Sequence, residues 1–224
     1  MPIYKVNIHN YLKNFFYDKI NKKGKNVNWR IYDKGRRNVR VISGTARGKR
    51  LKAPAGLDTR PITDMIKEAL FNVIGSNIVA ASLLDLFAGS GSVGIEALSR
   101  GASRVVFIDK TRKSIEVIKE NLENCSFVDN YELYRNDVFR AIELLYRRGV
   151  RFDYIYADPP FTNIDIFTPL IEVLDRICLL LPEGNLIIRS PRRLSLDVKI
   201  SNLSEYRYDN YGESTLHYFK TIKP

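Results

Sequence analysis

Cysteine, histidine and tryptophan are scarce in this chain, which has two, two and one of them among 224 residues. Cys125 and Cys178 lie far apart and outside any CxxC or Cys/His pattern, so we expect neither a disulfide framework nor a metal site. Both thiols are expected to be small buried side chains in the reducing cytoplasm. No apolar run reaches the roughly 18 residues of a membrane span, and the first residues lack the pattern of a signal peptide. We therefore expect no membrane partner.

Acidic residues are nearly absent from the first quarter of the chain. Residues 1–60 contain sixteen lysines and arginines against three aspartates, a net charge of +13, whereas residues 61–224 have a net charge of −2. Residues 1–37 also lack serine and alanine, and because they are polar and basic we interpret them as a mobile basic extension. A basic segment joined to a nearly neutral body predicts a polyanionic partner.

Residues 38–58 are predicted to form a basic β-hairpin. Residues 39–43 alternate as in a strand, and Gly48 lies between cations at the expected turn. Such a hairpin can lay Arg47, Lys49 and Arg50 along a phosphate backbone. Residues 59–224 are then the main domain.

The segment LLDLFAGSGSVG, residues 83–94, combines a short apolar strand, a glycine turn and the start of a helix near Ser92. Gly89 and Gly91 allow the backbone to turn sharply and to approach a ligand closely. Gly94 allows the helix to pack closely on the strand. A GxGxxG pattern alone is weak support for a function, because a tight βα turn without a ligand has the same pattern.

Asp109 strengthens the interpretation as a nucleotide site. It ends the next predicted strand, eighteen positions after Gly91, close to the spacing of about 20 at which a carboxylate meets ribose hydroxyls. The turn follows the residues DLFA, which differ from the apolar approach usual before a dinucleotide pyrophosphate. The segment resembles motif I of the class I S-adenosylmethionine (SAM)-dependent methyltransferases.

Strands and helices alternate along the chain as far as residue 188. Residues 206–209 and 215–220 alternate well and are joined by Gly212, so they should form an antiparallel hairpin. This order predicts an α/β fold with a doubly wound, seven-stranded sheet whose last strand is antiparallel. The small N-terminal β-hairpin is added to it.

Specific features are predicted for two helices and one strand. Thr63 is the expected N-cap of a helix that turns Lys67 and Glu68 outward. A later helix is predicted over residues 167–181, and a strand over residues 186–188.

The segment Asp158-Pro159-Pro160-Phe161 follows the predicted strand 152–157. Ligands in such sheets bind at the carboxyl ends of strands. Two prolines remove N–H donors, so the Asp158 carboxylate and the Pro159 carbonyl can accept both hydrogens of an NH2 group, while Phe161 stacks on a planar base. The alternative is a rigid turn after a buried strand.

An exocyclic base amine is a poor nucleophile because its lone pair is delocalised into the ring. Two hydrogen-bond acceptors favour a pyramidal nitrogen and aim its lone pair at a sulfonium methyl group. Positioning and electrostatics then suffice for the displacement, provided that the base is unstacked.

Three segments together resemble the bacterial 16S rRNA guanine-N2 methyltransferases. They are NVRVISGTARGKRLKAPAGLDTRPITDMIKEALF (38–71), LLDLFAGSGSVGIEALSRGA (83–102) and DYIYADPPF (153–161). The resemblance covers residues 38–220 and implies SAM as cofactor and a guanine N2 amine of rRNA as target, in the small subunit or a late precursor. We expect a monomer.

The resemblance also implies which residues form the site. The cofactor pocket would contain Arg60 and Thr63 at its lid, Asp85, Phe87, Gly89, Ser90 and Gly91 beside the methionine part, Asp109 on the ribose and Asp137 near the adenine. Asp158, Pro159, Pro160 and Phe161 would hold the target base. The chain departs from the family in its first 38 residues and at residues 188–193, IRSPRR, where an acidic residue is more usual and where Arg192 and Arg193 can meet phosphate.

Other functions share part of this pattern. A DNA adenine-N6 methyltransferase has the same two motifs, but it normally needs a target-recognition region for which the chain has no room after Phe161. A non-catalytic module that binds SAM and RNA is a second alternative, which the intact residues 158–161 disfavour. A NAD-dependent dehydrogenase would leave residues 158–161 without a role.

Overall fold

A computed structural model of the protein describes residues 39–54 and 62–222. The predicted basic extension, residues 1–37, and the predicted lid residue Arg60 lie outside the described residues.

The predicted N-terminal hairpin is confirmed as a small antiparallel sheet of β1 (Val39–Arg40) and β2 (Arg50–Leu51), in which Val39 pairs with Leu51. Its first strand is shorter than predicted. The amides of Ile42 and Ser43 donate to the Glu96 carboxylate instead of to a neighbouring strand, at 2.7 and 2.9 Å.

The main sheet has seven strands in the order β5-β4-β3-β6-β7-β9-β8. The strands β3 to β7 are parallel, and β9, the last strand in the chain, is antiparallel to both β7 and β8. The predicted doubly wound sheet with an antiparallel last strand is therefore confirmed. Its strands are β3 (Ser82–Leu86), β4 (Arg104–Asp109), β5 (Tyr131–Arg135), β6 (Phe152–Ala157), β7 (Leu180–Pro191), β8 (Leu203–Tyr211) and β9 (Ser214–Thr221).

Helices cover both faces of the sheet. They are α1 (Asp64–Ile74), α2 (Ser92–Ser99), α3 (Arg112–Asn124), α4 (Val138–Arg147) and α5 (Phe167–Arg176), with short 3-10 helices at Gly75–Ile78 and Ile164–Ile166. None of the described helices is long and apolar enough to span a membrane.

The alternation of side chains along β3 separates two cores. Leu83 packs into the core shared with α1, α2 and α3, whereas Leu84 and Leu86 pack into the core shared with α4 and α5. Helices thus cover both faces of the sheet. A ligand can then reach the sheet only at the ends of its strands.

The predicted bounds of α5 and β7 were wrong. The helix ends at Arg176, and β7 already begins at Leu180, where it pairs with Phe152. The strand runs for twelve residues instead of three, because its first half continues the ladder with β6 across a register shift. Cys178, in the connection, is exposed, against expectation, while Cys125 is buried as expected.

Lys67 was wrongly expected on the outside of α1. Its side chain is fully buried, its Nζ donates to the Arg40 carbonyl at 2.6 Å, and it lies 3.3 Å from Glu96 Oε2. Burial lowers the pKa of Lys67, and the Glu96 carboxylate opposes that shift. Helical periodicity explains the placement, since position 67 lies on the same face as the buried Leu70 and Phe71. Glu68 is exposed as expected.

Candidate active site at the carboxyl ends of the central strands

Three adjacent parallel strands, β4, β3 and β6, end at the same edge of the sheet. In the ladder Leu86 pairs with Ile108 on one side and with Ala157 on the other. The backbone continues this pairing beyond the strands, because the Asp158 amide donates to the Leu86 carbonyl at 3.3 Å. The strand order reverses at β3, which makes this edge the place where such sheets bind ligands.

The turn after β3 has three residues with positive φ: Phe87 at 62°, Gly89 at 58° and Gly91 at 74°. A Cβ at Gly89 would meet nothing closer than the Phe87 carbonyl oxygen at 3.8 Å, so open space lies beside the turn. Phe87 holds a strained conformation that is unfavourable for a residue with a side chain. The chain thus turns sharply between β3 and α2, with open space beside Gly89.

Gly94 allows the close packing that its position predicts. A Cβ there would lie 2.2 Å from Cε1 of Phe107 on β4. The Gly94 amide donates to Asp85 Oδ2 at 3.0 Å, which ties α2 to β3.

Asp85 is 2% exposed, and this burial raises its pKa to about 8, while the Gly94 amide opposes the shift and the Asp158 and Asp109 carboxylates add to it. The predicted pocket residue Asp85 therefore holds its proton to a much higher pH than an exposed aspartate does.

Asp109 lies directly against the glycine turn. Its Oδ2 accepts a hydrogen bond from the Gly89 amide at 3.0 Å, and its Oδ1 accepts one from the Thr111 amide at 2.8 Å. A carboxylate oxygen can accept more than one hydrogen bond. Asp109 can therefore hold the turn and still accept from a hydroxyl of a ligand.

Two other predicted cofactor residues, Asp137 and Thr63, are N-caps of helices. Asp137 is the N-cap of α4, where its Oδ1 accepts from the amides of Phe139 and Arg140 at 3.1 and 3.4 Å. The preceding amide, that of Asn136, donates to the Asp109 carbonyl, so this cap lies beside the end of β4. Thr63 caps α1 through its Oγ1, as predicted.

Asp158 is joined to residues that sequence reasoning did not single out. Its Oδ2 accepts from Arg189 Nη1 at 2.8 Å and from the Tyr156 hydroxyl at 3.4 Å. The Arg189 guanidinium also lies over the Phe161 ring, with Cζ 4.8 Å from the ring centre. Burial raises the pKa of Asp158, and the charge of Arg189 opposes this shift. The available signal was an arginine directly after the apolar run 186–188 of β7.

The basic hairpin displays the three predicted cations, because Arg47, Lys49 and Arg50 are all exposed. Its backbone is fixed to α2, where the Ala46 amide donates to Ser99 Oγ at 2.9 Å. A Cβ at Gly44 would lie 1.7 Å from the Ser99 carbonyl oxygen. The hairpin is thus seated closely on the main domain.

Two buried polar side chains connect the hairpin with the glycine turn. Asn121 Nδ2 donates to the carbonyls of both Lys52 and Ser90, at 2.9 Å each. Lys67 Nζ donates to Ser92 Oγ at 3.0 Å as well as to the hairpin. These hydrogen bonds therefore hold the basic hairpin in a fixed position relative to the glycine turn.

A family model described as "Conserved hypothetical protein 95" matches residues 39–220 of the chain. The Bacillus subtilis protein YlbH, provisionally named an rRNA methyltransferase, is 37% identical over 182 residues, which are 81% of this chain and 98% of the relative. Ribosomal RNA small subunit methyltransferase D of Escherichia coli strain K12 is 31% identical over 175 residues, 78% of this chain and 86% of the relative.

Solved structures have the same architecture. The Escherichia coli protein yhhF, provisionally described as a methyltransferase, aligns with a TM-score of 0.70 and 27% identity over 82% of this chain and 98% of its own. An RNA methyltransferase of Salinibacter ruber in complex with S-adenosyl-L-homocysteine aligns with a TM-score of 0.56 over 74% of this chain and 95% of its own. At 14% identity, the latter likeness supports the fold alone.

Proposed function

The chain belongs to the conserved hypothetical protein 95 family, and we propose that it is a SAM-dependent methyltransferase acting on the exocyclic N2 amine of a guanine in small-subunit rRNA. The observation that carries the proposal is the position of Asp158 at the end of β6, next to the glycine turn at the end of β3. The names of the relatives from Bacillus subtilis and Escherichia coli support rRNA as the substrate.

The residues around the turn fit the proposed cofactor. Open space lies beside Gly89, and the Asp109 carboxylate stands next to it with capacity for ribose hydroxyls. The cofactor supplies an electrophilic methyl group when it is bound. In the proposal Asp109 holds the ribose, Asp137 lies near the adenine, Arg60 and Thr63 close the lid, and Asp85, Phe87, Gly89, Ser90 and Gly91 surround the methionine part.

Asp158 and Pro159 have the central role in the proposed chemistry. The carboxylate and the carbonyl accept the two N–H groups of the guanine amine, which directs the nitrogen lone pair toward the methyl group. The bound cofactor would supply the methyl group, its sulfur keeping the S–C bonding electrons, and the methylated nitrogen would carry a positive charge until it releases a proton to water. The pre-set acceptors stabilise that charge without a strong base, while Pro160 fixes the turn and Phe161 stacks on the base.

The exposed cations of the hairpin serve as the proposed RNA contacts. Arg47, Lys49 and Arg50 project from a segment that is fixed to the main domain, so a phosphate backbone bound there keeps a defined distance from the site. We propose the small ribosomal subunit or a late precursor as the substrate of a monomeric, cytoplasmic enzyme. Its parts would be the extension 1–37, the RNA-binding hairpin 38–58 and the methyltransferase domain 59–224.

Labelled methyl transfer tests this function. SAM with a labelled methyl group is incubated with the full-length protein and unmodified small subunits, and the rRNA is digested to nucleosides. The expected product is N2-methylguanosine. Label found only in N6-methyladenosine would contradict the proposal.

A further inference from the structure

Arg189 lies at the centre of a buried cluster that contains two of the proposed target-base residues. Its side chain is 2% exposed. One nitrogen, Nη1, contacts the Asp158 carboxylate, while Nε and Nη2 lie 3.2 and 3.1 Å from Ser214 Oγ on β9. The Cζ atom of the guanidinium lies over the Phe161 ring, 4.8 Å from its centre. Arg189, on β7, therefore links β9 to the Asp158–Phe161 segment that follows β6.

We propose that Arg189 is the positioning residue of the methyl-transfer site, which holds both the Asp158 carboxylate and the Phe161 ring in the arrangement that receives the guanine. This proposal rests on the proposed function, since it concerns the same site. Arg189 acts through Asp158 and Phe161 and does not itself contact the reacting amine.

The two carboxylate oxygens of Asp158 have different surroundings. Oδ2 takes both the Arg189 and the Tyr156 hydrogen bonds, and no described residue donates to Oδ1. The Asp158 side chain is 20% exposed, so an incoming donor can reach it. With Oδ2 held by a rigid guanidinium, Oδ1 is kept as the acceptor for the base amine.

Stacking on Phe161 restricts the direction from which a base can approach. With Cζ 4.8 Å from the ring centre, the guanidinium occupies one face of the ring. A base that stacks on Phe161 must then use the opposite face. Arg189 thereby fixes the side of the ring on which the guanine stacks.

The charge of Arg189 also sets the ionisation of its partner. The Asp158 carboxyl faces three charged or titratable groups: Arg189 on β7, Tyr156 on β6 and Asp85 on β3. Burial raises the pKa of the Asp158 carboxyl, whereas the Arg189 charge and hydrogen bond lower it. Arg189 therefore favours the ionised carboxylate, which can accept hydrogen bonds through both of its oxygens.

A merely structural role predicts a different outcome. A buried ion pair is seldom more stabilising than an apolar pair of the same volume, so stability alone gives little reason for an arginine here. A structural role predicts altered unfolding with an unchanged pH profile. The positioning role predicts a slower reaction and a displaced pH profile.

The test compares Arg189→Met, Arg189→Lys and Ser214→Ala with Arg176→Met, an equivalent change at an exposed arginine near the end of α5. Single-turnover methyl transfer to small subunits is measured against pH at saturating SAM. SAM affinity is measured by calorimetry, and the Asp158 carboxyl is titrated by 13C NMR in the absence of RNA.

We expect Arg189→Met to slow transfer about 10- to 100-fold, as for a small misplacement of a reacting group, with SAM affinity within about twofold of wild type. The acidic limb of its pH–rate profile and the midpoint of the Asp158 titration should both move up by roughly 1–3 pH units, because the variant lacks the opposite charge beside the carboxylate. Arg189→Lys should keep the limb near wild type while still slowing the reaction. Ser214→Ala should reduce the rate less, and Arg176→Met should not change it.

A wild-type rate in Arg189→Met, or an Asp158 titration that is the same with and without the guanidinium, would overturn the proposal. If Arg189→Met does not fold, Arg189→Lys and Ser214→Ala decide it through their rates. If wild type transfers no methyl group to guanine, the proposed function fails, and the NMR titration still decides whether Arg189 sets the ionisation of Asp158.

Discussion

Asp109 on β4 accepts a hydrogen bond from the Gly89 amide at 3.0 Å, so the end of one strand holds the turn that follows its neighbour. Asp109→Ala should weaken SAM binding about tenfold or more, since it removes a charge-assisted hydrogen bond worth roughly 1.5–3 kcal/mol. Asp109→Asn can still accept from Gly89 and should preserve the turn. Calorimetry with SAM measures both variants, and an unchanged affinity in folded Asp109→Ala would exclude the ribose assignment.

The basic hairpin should determine RNA affinity and leave cofactor affinity unaltered. Replacing Arg47, Lys49 and Arg50 by alanine should flatten the slope of log affinity against log salt by about 2–3, at roughly 0.7–0.9 for each phosphate that the protein no longer neutralises. The measurement is binding to small-subunit rRNA over a range of salt concentrations.

A matched control for the hairpin removes three exposed cations elsewhere. Arg147, Arg148 and Arg176 are exposed at the ends of α4 and α5, and their replacement by alanine should leave the salt slope near that of wild type. Equal slopes for wild type and the hairpin variant would remove the hairpin from the RNA interface.

The buried pair of Lys67 and Glu96 should contribute strongly to stability. Both side chains are fully buried, with Nζ 3.3 Å from Oε2. Lys67→Met leaves the Glu96 charge without its buried cation, which costs about 3–5 kcal/mol when one partner of such a pair is removed. Urea unfolding measures the destabilisation, with Lys119→Met at an exposed position of α3 as control. Glu96 has other partners, since its Oε1 also accepts from Arg100 Nε at 2.8 Å and the hairpin amides donate to its carboxylate. A change below about 0.5 kcal/mol would show that these partners already neutralise Glu96.

Asp85 should make stability fall as the pH rises. Burial raises its folded-state pKa to about 8, so between about pH 4 and pH 8 the folded state binds a proton that the unfolded state has released. The contribution of this proton to stability is present below the unfolded pKa and disappears as the pH passes through the folded pKa.

Asp85→Asn keeps an oxygen that accepts from the Gly94 amide, but its side chain does not titrate. Its melting temperature, compared with that of wild type in the absence of cofactor, should improve progressively from pH 5 to pH 8.5. Melting curves that shift in parallel over this range would show that Asp85 does not titrate there.

The main elements of the fold could be predicted because each rests on a local pattern. The glycine turn, the Asp109 strand and the Thr63 cap follow from backbone conformation and from alternation over a few residues. The antiparallel last strand follows from the turn at Gly212. These signals need no knowledge of distant neighbours.

Lys67 and Arg189 could not be placed from such patterns. A charged residue in a helix or strand is exposed by default, and only the partners supplied by other elements make burial possible. Those partners lie 29 and 31 positions away, at Glu96 and Asp158. Cys178 was misjudged for a related reason, since its exposure depends on where α5 ends and β7 begins.

The reaction itself is tested most directly at Asp158, by single-turnover transfer from SAM to small subunits followed by nucleoside analysis. Asp158→Ala removes one acceptor for the amine and should slow the formation of N2-methylguanosine roughly 100- to 1000-fold, as does removal of one preorganised group where charge develops. Asp158→Asn should be milder, because its amide oxygen can still accept.

SAM affinity should be nearly unchanged in both Asp158 variants, since the proposed cofactor contacts are Asp109 and the glycine turn. Thermal unfolding is measured alongside, because Asp158→Ala leaves the Arg189 guanidinium without its carboxylate. We expect a rate at least about 100-fold below wild type with unchanged SAM binding. A folded Asp158→Ala protein that forms N2-methylguanosine at the wild-type rate would contradict the proposed mechanism.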